Sequence, residues 1–214
     1  MSGVPHPGAA WTAWYIFGLG LTAGPDVHRP SEFSALLAST LSDVWGRSVL
    51  DAGSGAGLIT IAALSAGARH VIALDRDEEA LRDTAANVER LLGISARERL
   101  SLWQADFSQL DVLDADVLAV NPPQRPTELL DAVEPHNRHL HEGGGRDGLD
   151  GLRLVLGHAR CHEVRSTAAD VLPLSTLRRT PRRLTTTTLP MHPAWRPLVG
   201  GDEGKVSVWA FDRR

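Results

Sequence analysis

The chain has little of what stabilises secreted or membrane-inserted proteins. Its 214 residues include one cysteine, Cys161, so no disulfide can form within the chain, and such a composition is typical of the reducing cytoplasm. The apolar N-terminal stretch 9–21 is shorter than the ~20 residues that a bilayer-spanning helix needs. No lysine or arginine precedes this stretch, which argues against a signal peptide. We therefore expect a cytoplasmic protein without a membrane segment.

The charge balance also excludes a general affinity for nucleic acid. A formal net charge of -4 provides no overall attraction to phosphate groups. A cluster of arginines in the C-terminal third is the local exception. A solvated loop explains such a cluster, and so does a docking patch for an acidic or nucleic-acid partner. Nucleic acid is therefore the less favoured partner. The four arginines are Arg178, Arg179, Arg182 and Arg183.

Length and composition predict one α/β domain with a full core. Hydrophobic residues make up 43% of the chain and charged residues 22%, close to globular averages, and nothing marks a second folded domain. Residues 1–30 form an aromatic segment ahead of the domain at 31–214. This segment is interpreted as a helix packed on the domain, a flap over its active site or a dimer contact. Its aromatic side chains are Trp11, Trp14, Tyr15 and Phe17.

Strand and helix patterns alternate over the first 120 residues. The alternation predicts a mostly parallel, twisted sheet with helices on both faces. Beyond it, two late strands predict an antiparallel hairpin at the sheet edge, and a helix follows Gly148 as far as about Glu163. Residues 165–184 show no clean period, so no fifth strand is predicted there. The strands are predicted at 48–52, 70–75, 100–105, 115–120, 183–189 and 205–211. The earlier helices are predicted at 31–41, with Ser31 as the N-cap, at 58–66 and at 77–92.

A glycine-rich turn follows the first strand. The run 49–57 passes from a buried strand through three alternating glycines into a helix, which lets a ligand approach the backbone closely. A dinucleotide-binding turn needs a glycine where Leu58 stands. The observed G-x-G-x-G, with an acid before it, resembles the S-adenosylmethionine (SAM) loop of class I methyltransferases, which have a Rossmann-like sheet. The resemblance implies SAM contacts from Asp51, Gly53, Ser54, Gly55 and Gly57.

Acidic residues end the next two strands. Asp75 closes the second strand beside the glycine turn, where a carboxylate can accept both hydroxyls of a ribose, and Arg76 adjoins it. The alternative for Asp75 is a cap for the following helix. Asp106 and Phe107 end the third strand, where the resemblance implies contacts with the adenine amino group and one face of its ring. An ordinary turn residue is the alternative for Asp106.

The fourth strand ends in Asn121-Pro122-Pro123-Gln124. Two prolines hold the backbone rigid, so the Asn121 carboxamide and the Pro122 carbonyl become preset hydrogen-bond acceptors. A rigid turn that leaves a strand is the structural alternative. Acceptors in this position are suited to orienting a nitrogen that carries hydrogen. We therefore predict that these four residues form the catalytic motif.

This motif resembles that of the N-methyltransferases with N-P-P followed by an aromatic residue, and in particular the release-factor glutamine methyltransferases (HemK-like). Residues 142–149 with Arg153, and the segment 26–31, are similar to segments of the same family, so the resemblance covers about 24–160. It implies that Asn121 and Pro122 orient a planar nitrogen toward the methyl group of SAM, with Asn121 beside the cofactor and S-adenosylhomocysteine as product. Neither a metal nor a covalent nucleophile is implied.

The chain departs from that family in three places. Gln124 replaces the aromatic residue that stacks on the planar target. The first strand begins near Ser48, without the helical substrate-binding domain that precedes the family's catalytic half, and no fifth strand is recognised after residue 160. The expected acceptor is therefore a small molecule or a glutamine in a peptide or protein. The alternatives are an RNA base, or a non-catalytic SAM-binding subunit that uses its aromatic N-terminus as the interface.

Histidines cluster in the loop after this motif. His136, His139 and His141 with Glu142 have a spacing that suits metal ligands, but histidine-rich loops without metal are more common. One of these histidines is instead expected to line the substrate pocket or to accept a proton. No metal site is predicted, and homodimerisation stays an open expectation.

Overall fold

One seven-stranded sheet organises the protein, and the computed structural model describes residues 8–132 and 143–213 of it. The strand order is β3-β2-β1-β4-β5-β7-β6. Strands β1 to β5 are parallel, and β7 is antiparallel to both β5 and β6. The predicted parallel sheet with a C-terminal antiparallel hairpin is confirmed. The strands are β1 Ser48–Ala52, β2 His70–Asp75, β3 Leu100–Gln104, β4 Val117–Val120, β5 Glu163–Ala169, β6 Arg182–Pro190 and β7 Glu203–Asp212.

Seven α-helices accompany the sheet in the described residues, and several have clear capping signals. Ser31 caps the second helix through a capping box with Ser34, as predicted, and Asp77 caps the fourth by accepting from the Glu79 amide. The helices are α1 Gly8–Leu19, α2 Glu32–Ala38, α3 Leu58–Ser65, α4 Glu78–Leu92, α5 Ile94–Arg97, α6 Asp150–His158 and α7 Arg196–Val199.

The sheet order places the functional segments side by side. The chain runs outward from β1 to β3 and then returns to add β4 on the other side of β1, so the order reverses between β1 and β4. Ala52 and Val120, the last residues of these two strands, are paired in register. Ligands of open α/β sheets bind at such a switch point, beyond the carboxyl ends of the strands. The glycine turn and the Asn-Pro-Pro motif therefore begin at neighbouring positions.

A fifth strand exists where none was predicted. Residues 163–169 form β5, nearly all buried, and α6 ends at His158 instead of Glu163. Cys161 and His162 consequently lie in the bend before β5 and not on a helix. The segment E-V-R-S-T-A-A has no apolar alternation because both faces of β5 are covered. Its buried polar side chains form hydrogen bonds with neighbouring elements. The spacing of apolar residues in the sequence does not reveal such bonds.

The buried Arg165 of β5 joins two parts of the fold. Its side chain is 3% exposed, and it pairs with Asp43 at 2.7 Å and with Glu163 at 2.7 Å. Asp43 precedes β1 by five residues in the chain, so the pair ties the segment after α2 to the sheet. The more exposed Arg182 also binds Glu163, at 2.9 Å. Hydrogen bonds of this kind make it feasible to bury a charged group inside a strand.

The basic cluster makes contacts with its own chain. Arg183 pairs with Asp170 at 3.1 Å and lies over the Trp209 ring at 4.5 Å, while Arg179 donates to the Leu156 carbonyl. Together with the Arg182–Glu163 pair, these contacts favour a structural role for the cluster. The interpretation as a docking patch for an acidic or nucleic-acid partner stays a prediction.

The N-terminal aromatic helix α1 packs against α2. Trp14 and Phe17 meet edge to face with 5.5 Å between their ring centroids, and both contact the hydrophobic core. No described residue of α1 lines the main cavity. The division of the chain into an aromatic segment at 1–30 and a domain at 31–214 stays a prediction. None of the helices described here has the length and apolarity to cross a membrane.

Candidate active site

The main cavity has a volume of about 910 Å³ and lies at the carboxyl ends of β1 to β4. Its wall combines the loop before α2, the turns after the four central strands and the loop after β6. The lining includes residues from 26–34, 53–59, 74–77, 105–107, 121–125 and 190–195. Most residues predicted from the sequence as site residues are thereby brought to one place, the switch point of the sheet.

The glycine turn has a backbone that only glycine accommodates easily. Gly55 has φ +52° and Gly57 has φ +90°. A Cβ atom on Gly55 would lie 3.0 Å from the His28 carbonyl oxygen, and one on Gly57 would lie 3.0 Å from Cα of Thr84. The Gly53 amide donates to the Leu74 carbonyl at 2.7 Å, which joins the turn to β2. Of the predicted residues, Gly53, Ser54 and Gly55 line the cavity, whereas Gly57 lies behind it.

Asp51 supports the turn from within the core. Its Oδ2 atom accepts hydrogen bonds from the Thr60 amide at 2.9 Å and from the Thr60 hydroxyl at 2.7 Å. The residue is 1% exposed and is not among the residues that line the cavity. Burial raises the pKa of Asp51 to about 7, against the opposing effect of the two bonds from Thr60. The geometry gives Asp51 the task of joining β1 to the first turn of α3.

Asp75 faces the cavity and also holds the glycine turn. Its Oδ2 accepts from the Gly55 amide at 3.0 Å, and its Oδ1 accepts from the Asp77 amide at 3.1 Å. A carboxylate has about four lone-pair sites, so acceptor positions remain for two hydroxyl groups. The cap of the following helix is Asp77 and not Asp75, so the alternative for Asp75 is wrong. The interpretation of Asp75 as a ribose ligand is compatible with this arrangement and stays a prediction. Arg76 lines the same part of the cavity.

The turn after β3 brings an acid and an aromatic ring to the cavity. Asp106 accepts from the amide and the hydroxyl of Ser108, and these bonds lower the pKa of Asp106. It also forms a capping box with Gln109 at the start of the 3₁₀ helix 107–112. The half-buried Phe107 ring lies 3.6 Å from the position a Cβ would take on Gly53. An aromatic face is thus present beside the glycine turn.

Asn121 is held on both sides of its carboxamide. Its Nδ2 donates to the Ser34 hydroxyl at 3.1 Å, and its Oδ1 accepts from the Thr167 hydroxyl at 2.6 Å. Gln124 Nε2 donates to the same oxygen at a longer 3.4 Å. No hydrogen bond reaches the Pro122 carbonyl oxygen from any described residue. Among the described residues, the motif therefore offers the Pro122 carbonyl oxygen without a partner, and the Asn121 Oδ1 atom, whose second hydrogen bond is the longer one from Gln124.

Gln124 bridges two strands instead of supplying a stacking face. Its Oε1 accepts from the Ala169 amide at 2.9 Å, and its Nε2 reaches Asn121 and Thr167. Pro123 lines the cavity beside it. The aromatic surface that this position lacks is available elsewhere, from Trp195 in the loop after β6.

Sequence reasoning missed several residues of this site. Ser34 and Thr167 contact Asn121 from α2 and β5, and no sequence signal pointed to Thr167 because its strand was not predicted. The residue directly after the motif, Arg125, lines the cavity half-buried, and burial lowers its pKa. Trp195 could have been noticed from the sequence, because a large aromatic residue in a loop with two prolines is a candidate for a binding surface.

No described cluster of histidine, cysteine, aspartate and glutamate is arranged to hold a metal ion. The histidine-rich group, His136, His139, His141 and Glu142, lies outside the residues that the structure describes. The metal interpretation and the interpretation as pocket residues both stay predictions for this group.

Comparisons with known proteins converge on methyl transfer. The family model of the ribosomal protein L11 methyltransferases matches residues 35–138. A candidate protein N5-glutamine methyltransferase of Methanocaldococcus jannaschii is 31% identical over 137 residues, which are 63% of this chain and 67% of that protein. The L11 methyltransferase of Erwinia tasmaniensis is 35% identical over 149 residues, 70% of this chain and 47% of that enzyme.

Among solved structures, a candidate RNA methyltransferase of Pyrococcus horikoshii superposes with a TM-score of 0.62. It is 16% identical, and the superposition covers 95% of this chain and 96% of that one. This likeness establishes the shared fold. The chain spans about half the length of the L11 methyltransferases that it matches.

Proposed function

We propose that this chain, which belongs to the class I SAM-dependent methyltransferases, methylates a planar amide or amine nitrogen. The observation that carries the proposal is the Asn121-Pro122 pair at the end of β4. Both residues line the cavity that the glycine turn also lines. Two acceptors at adjacent positions match the two hydrogens of an NH₂ group.

The residues at the other end of the cavity fit the cofactor. SAM supplies a methyl group bound to a positively charged sulfur, and S-adenosylhomocysteine is the product. The turn at Gly53 and Gly55 lines the cavity, and the Asp75 carboxylate accepts a hydrogen bond from the Gly55 amide. Phe107 contributes an aromatic face and Asp106 a carboxylate. These groups would hold the ribose and the adenine ring.

Asn121 and Pro122 would orient the acceptor nitrogen. Their oxygens accept its two hydrogens, so the remaining face of the nitrogen points toward the methyl group. The nitrogen then gains the methyl group and loses one proton to solvent. Gln124 gives up its long bond to Asn121 when the acceptor binds, whereas the short bond from Thr167 keeps the carboxamide in place. Alignment and a preorganised polar site supply the rate.

A small molecule or a short peptide is the favoured acceptor. Pockets for small ligands measure roughly 300–1,000 Å³, and about 910 Å³ allows a cofactor and a compact acceptor together. The relatives are named for a protein glutamine and for a ribosomal protein, and a glutamine side chain in a peptide has the same planar nitrogen. The net charge and the internally paired arginines make an RNA base less favourable. A cytoplasmic location and a homodimer stay predictions.

The proposal is tested with purified chain, SAM and a panel of small amides, aromatic amines and glutamine-containing peptides. We expect micromolar SAM binding by calorimetry, no comparable binding of NAD, and formation of S-adenosylhomocysteine with at least one acceptor. Asn121→Ala should lose most of this turnover while it still binds SAM, whereas Arg82→Ala on α4 should retain it. Full activity of Asn121→Ala would overturn the catalytic assignment. SAM binding without turnover would favour a non-catalytic subunit.

A further inference from the structure

Arg125 places a positive charge in the acceptor half of the cavity. It follows the Asn-Pro-Pro-Gln motif directly, and its half-buried side chain lines the cavity. The Arg125 backbone packs closely against Gly144, where an added Cβ would have no room beside the Arg125 carbonyl. Arg125 is therefore carried by a closely packed segment that directly follows the Asn121-Pro122 pair in the chain.

No described acid pairs with this guanidinium. Elsewhere the chain pairs its sheltered arginines closely, as Arg165 does with Asp43 and Glu163, and as Arg153 does with Asp147 and Asp150. Removal from water lowers the pKa of Arg125, but an arginine stays charged throughout the physiological range. A partly desolvated charge that has no counter-ion among the described residues is unfavourable, and an anionic ligand relieves that cost.

The loop after β6 completes this part of the cavity. Burial lowers the pKa of His192, and the nearby positive charge of Arg125 lowers this pKa further. Its Nδ1 accepts from the Ala194 amide at 3.2 Å, so a neutral ring carries its hydrogen on Nε2 and can donate from there. Met191 and Trp195 in the same loop are buried and supply apolar surface.

The charges along the cavity divide it into two ends. Asp75, Asp77 and Asp106 line the end beside the glycine turn, where Arg76 also lies. The three acids outnumber this arginine, so this end disfavours a second anion. Arg125 and His192 line the end beyond the Asn-Pro-Pro motif. An acceptor that carries a negative group is thereby directed to one end, with its nitrogen left between the motif and the cofactor end.

We propose that Arg125 binds a carboxylate carried by the methyl acceptor, so that the substrate is a small amide or amine with an acid group and a flat apolar body. The proposal rests on the N-methyl transfer proposed above. A carboxylate is favoured because its two oxygens match the paired N–H groups of one guanidinium. A phosphate calls for more donors than Arg125 and His192 supply together.

Binding of benzoate tests this assignment without knowledge of the natural acceptor. Benzoate, benzamide and inorganic phosphate are titrated separately into the purified chain in the presence of S-adenosylhomocysteine, for wild type, Arg125→Gln and the distant surface control Arg82→Gln. We expect benzoate to bind wild type and the control more tightly than the other two probes do. Arg125→Gln should weaken benzoate about tenfold or more, with benzamide unaffected.

Three results would overturn the assignment: benzoate that does not bind wild type, benzoate that binds Arg125→Gln equally well, or phosphate that binds wild type more tightly than benzoate. SAM affinity measured on the same samples separates these results from misfolding, because Arg125 lies at the other end of the cavity. Loss of SAM binding from Arg125→Gln would likewise count against a role confined to the acceptor.

Turnover separates this inference from the proposed function. The matched acceptors 4-aminobenzoate and 4-aminobenzamide share an aromatic amine and differ in the acid group. Arg125→Gln should raise KM for 4-aminobenzoate about tenfold and leave KM for 4-aminobenzamide and both kcat values nearly unchanged. If benzoate binding depends on Arg125 but no probe or peptide is methylated on nitrogen, the carboxylate site stands and the proposed function fails. Equal KM effects on both acceptors would overturn the carboxylate site and leave N-methylation intact.

Discussion

The hydroxyl of Thr167 on β5 donates a 2.6 Å hydrogen bond to the side-chain oxygen of Asn121 at the end of β4. Thr167 is 1% exposed, so its side chain has no freedom to turn away. The bond fixes which atom of the Asn121 carboxamide is the acceptor, since Nδ2 is directed to Ser34. Thr167 is thus a positioning residue for the proposed catalytic motif.

Replacement of Thr167 by valine should lower kcat for methyl transfer about tenfold, because the Asn121 carboxamide loses the bond that orients it. SAM affinity should change little, as Thr167 does not line the cavity. Thr167→Ser keeps the hydroxyl and should restore most of the rate. A valine variant with the wild-type rate, or a serine variant as slow as the valine variant, would contradict the positioning role.

Gly55→Ala should weaken SAM binding by about tenfold or more, because a left-handed backbone costs an alanine roughly 1–2 kcal/mol. The new Cβ would also press on the His28 carbonyl, 3.0 Å away. Calorimetric titration with SAM measures the effect. Gly157→Ala in α6 is the matched control, since a Cβ there meets nothing within 4 Å, and it should bind SAM normally. Unchanged affinity in Gly55→Ala would remove the turn from the cofactor site.

The raised pKa of Asp51 predicts a pH-dependent contribution to stability. The folded chain keeps this carboxyl protonated up to about pH 7, whereas the unfolded chain releases the proton near its ordinary pKa of 3.8. The contribution of Asp51 is therefore fully present below pH 3.8 and is lost as the pH rises to about 7. The loss amounts to about 4 kcal/mol, from about three pKa units.

Asp51→Asn keeps an oxygen for both bonds from Thr60 and removes the titration. Urea unfolding between roughly pH 4 and pH 8 should show a stability difference, variant minus wild type, that grows in favour of the variant as the pH rises. Subtraction of the two curves cancels the other titrating groups. A pH-independent difference would mean that Asp51 titrates normally in the folded chain.

Arg165→Met should reduce the free energy of unfolding by about 3 kcal/mol, because it leaves the sheltered Glu163 with one fewer partner and breaks the link to Asp43. Arg182→Met removes the other partner of Glu163, but this arginine is 57% exposed, and the expected loss is under about 1 kcal/mol. Chemical denaturation measures both variants. Equal losses would show that burial of Arg165 does not determine its contribution.

The sequence specified the local structures whose cause is local. The three glycines after a buried strand, the Ser31 cap and the two prolines of the Asn-Pro-Pro motif act through their own backbone geometry, and each is found where its pattern indicated. Alternation of strands and helices was sufficient for the parallel sheet. The hairpin of β6 and β7 was readable as well, since two strand-forming runs flank a loop rich in proline and glycine.

Tertiary structure decided whatever depends on contacts between distant segments. β5 was invisible because both of its faces are covered and its polar residues are paired with partners far away in the chain, such as Asp43. For the same reason, one of the two predicted acids around the glycine turn, Asp75, faces the cavity, whereas Asp51 is buried behind it. The sequence determined which chemical groups are available. The packing of distant segments decided how exposed these groups are and which partners they have. It also brought Arg125 close to the loop after β6, and no local sequence pattern relates these two segments.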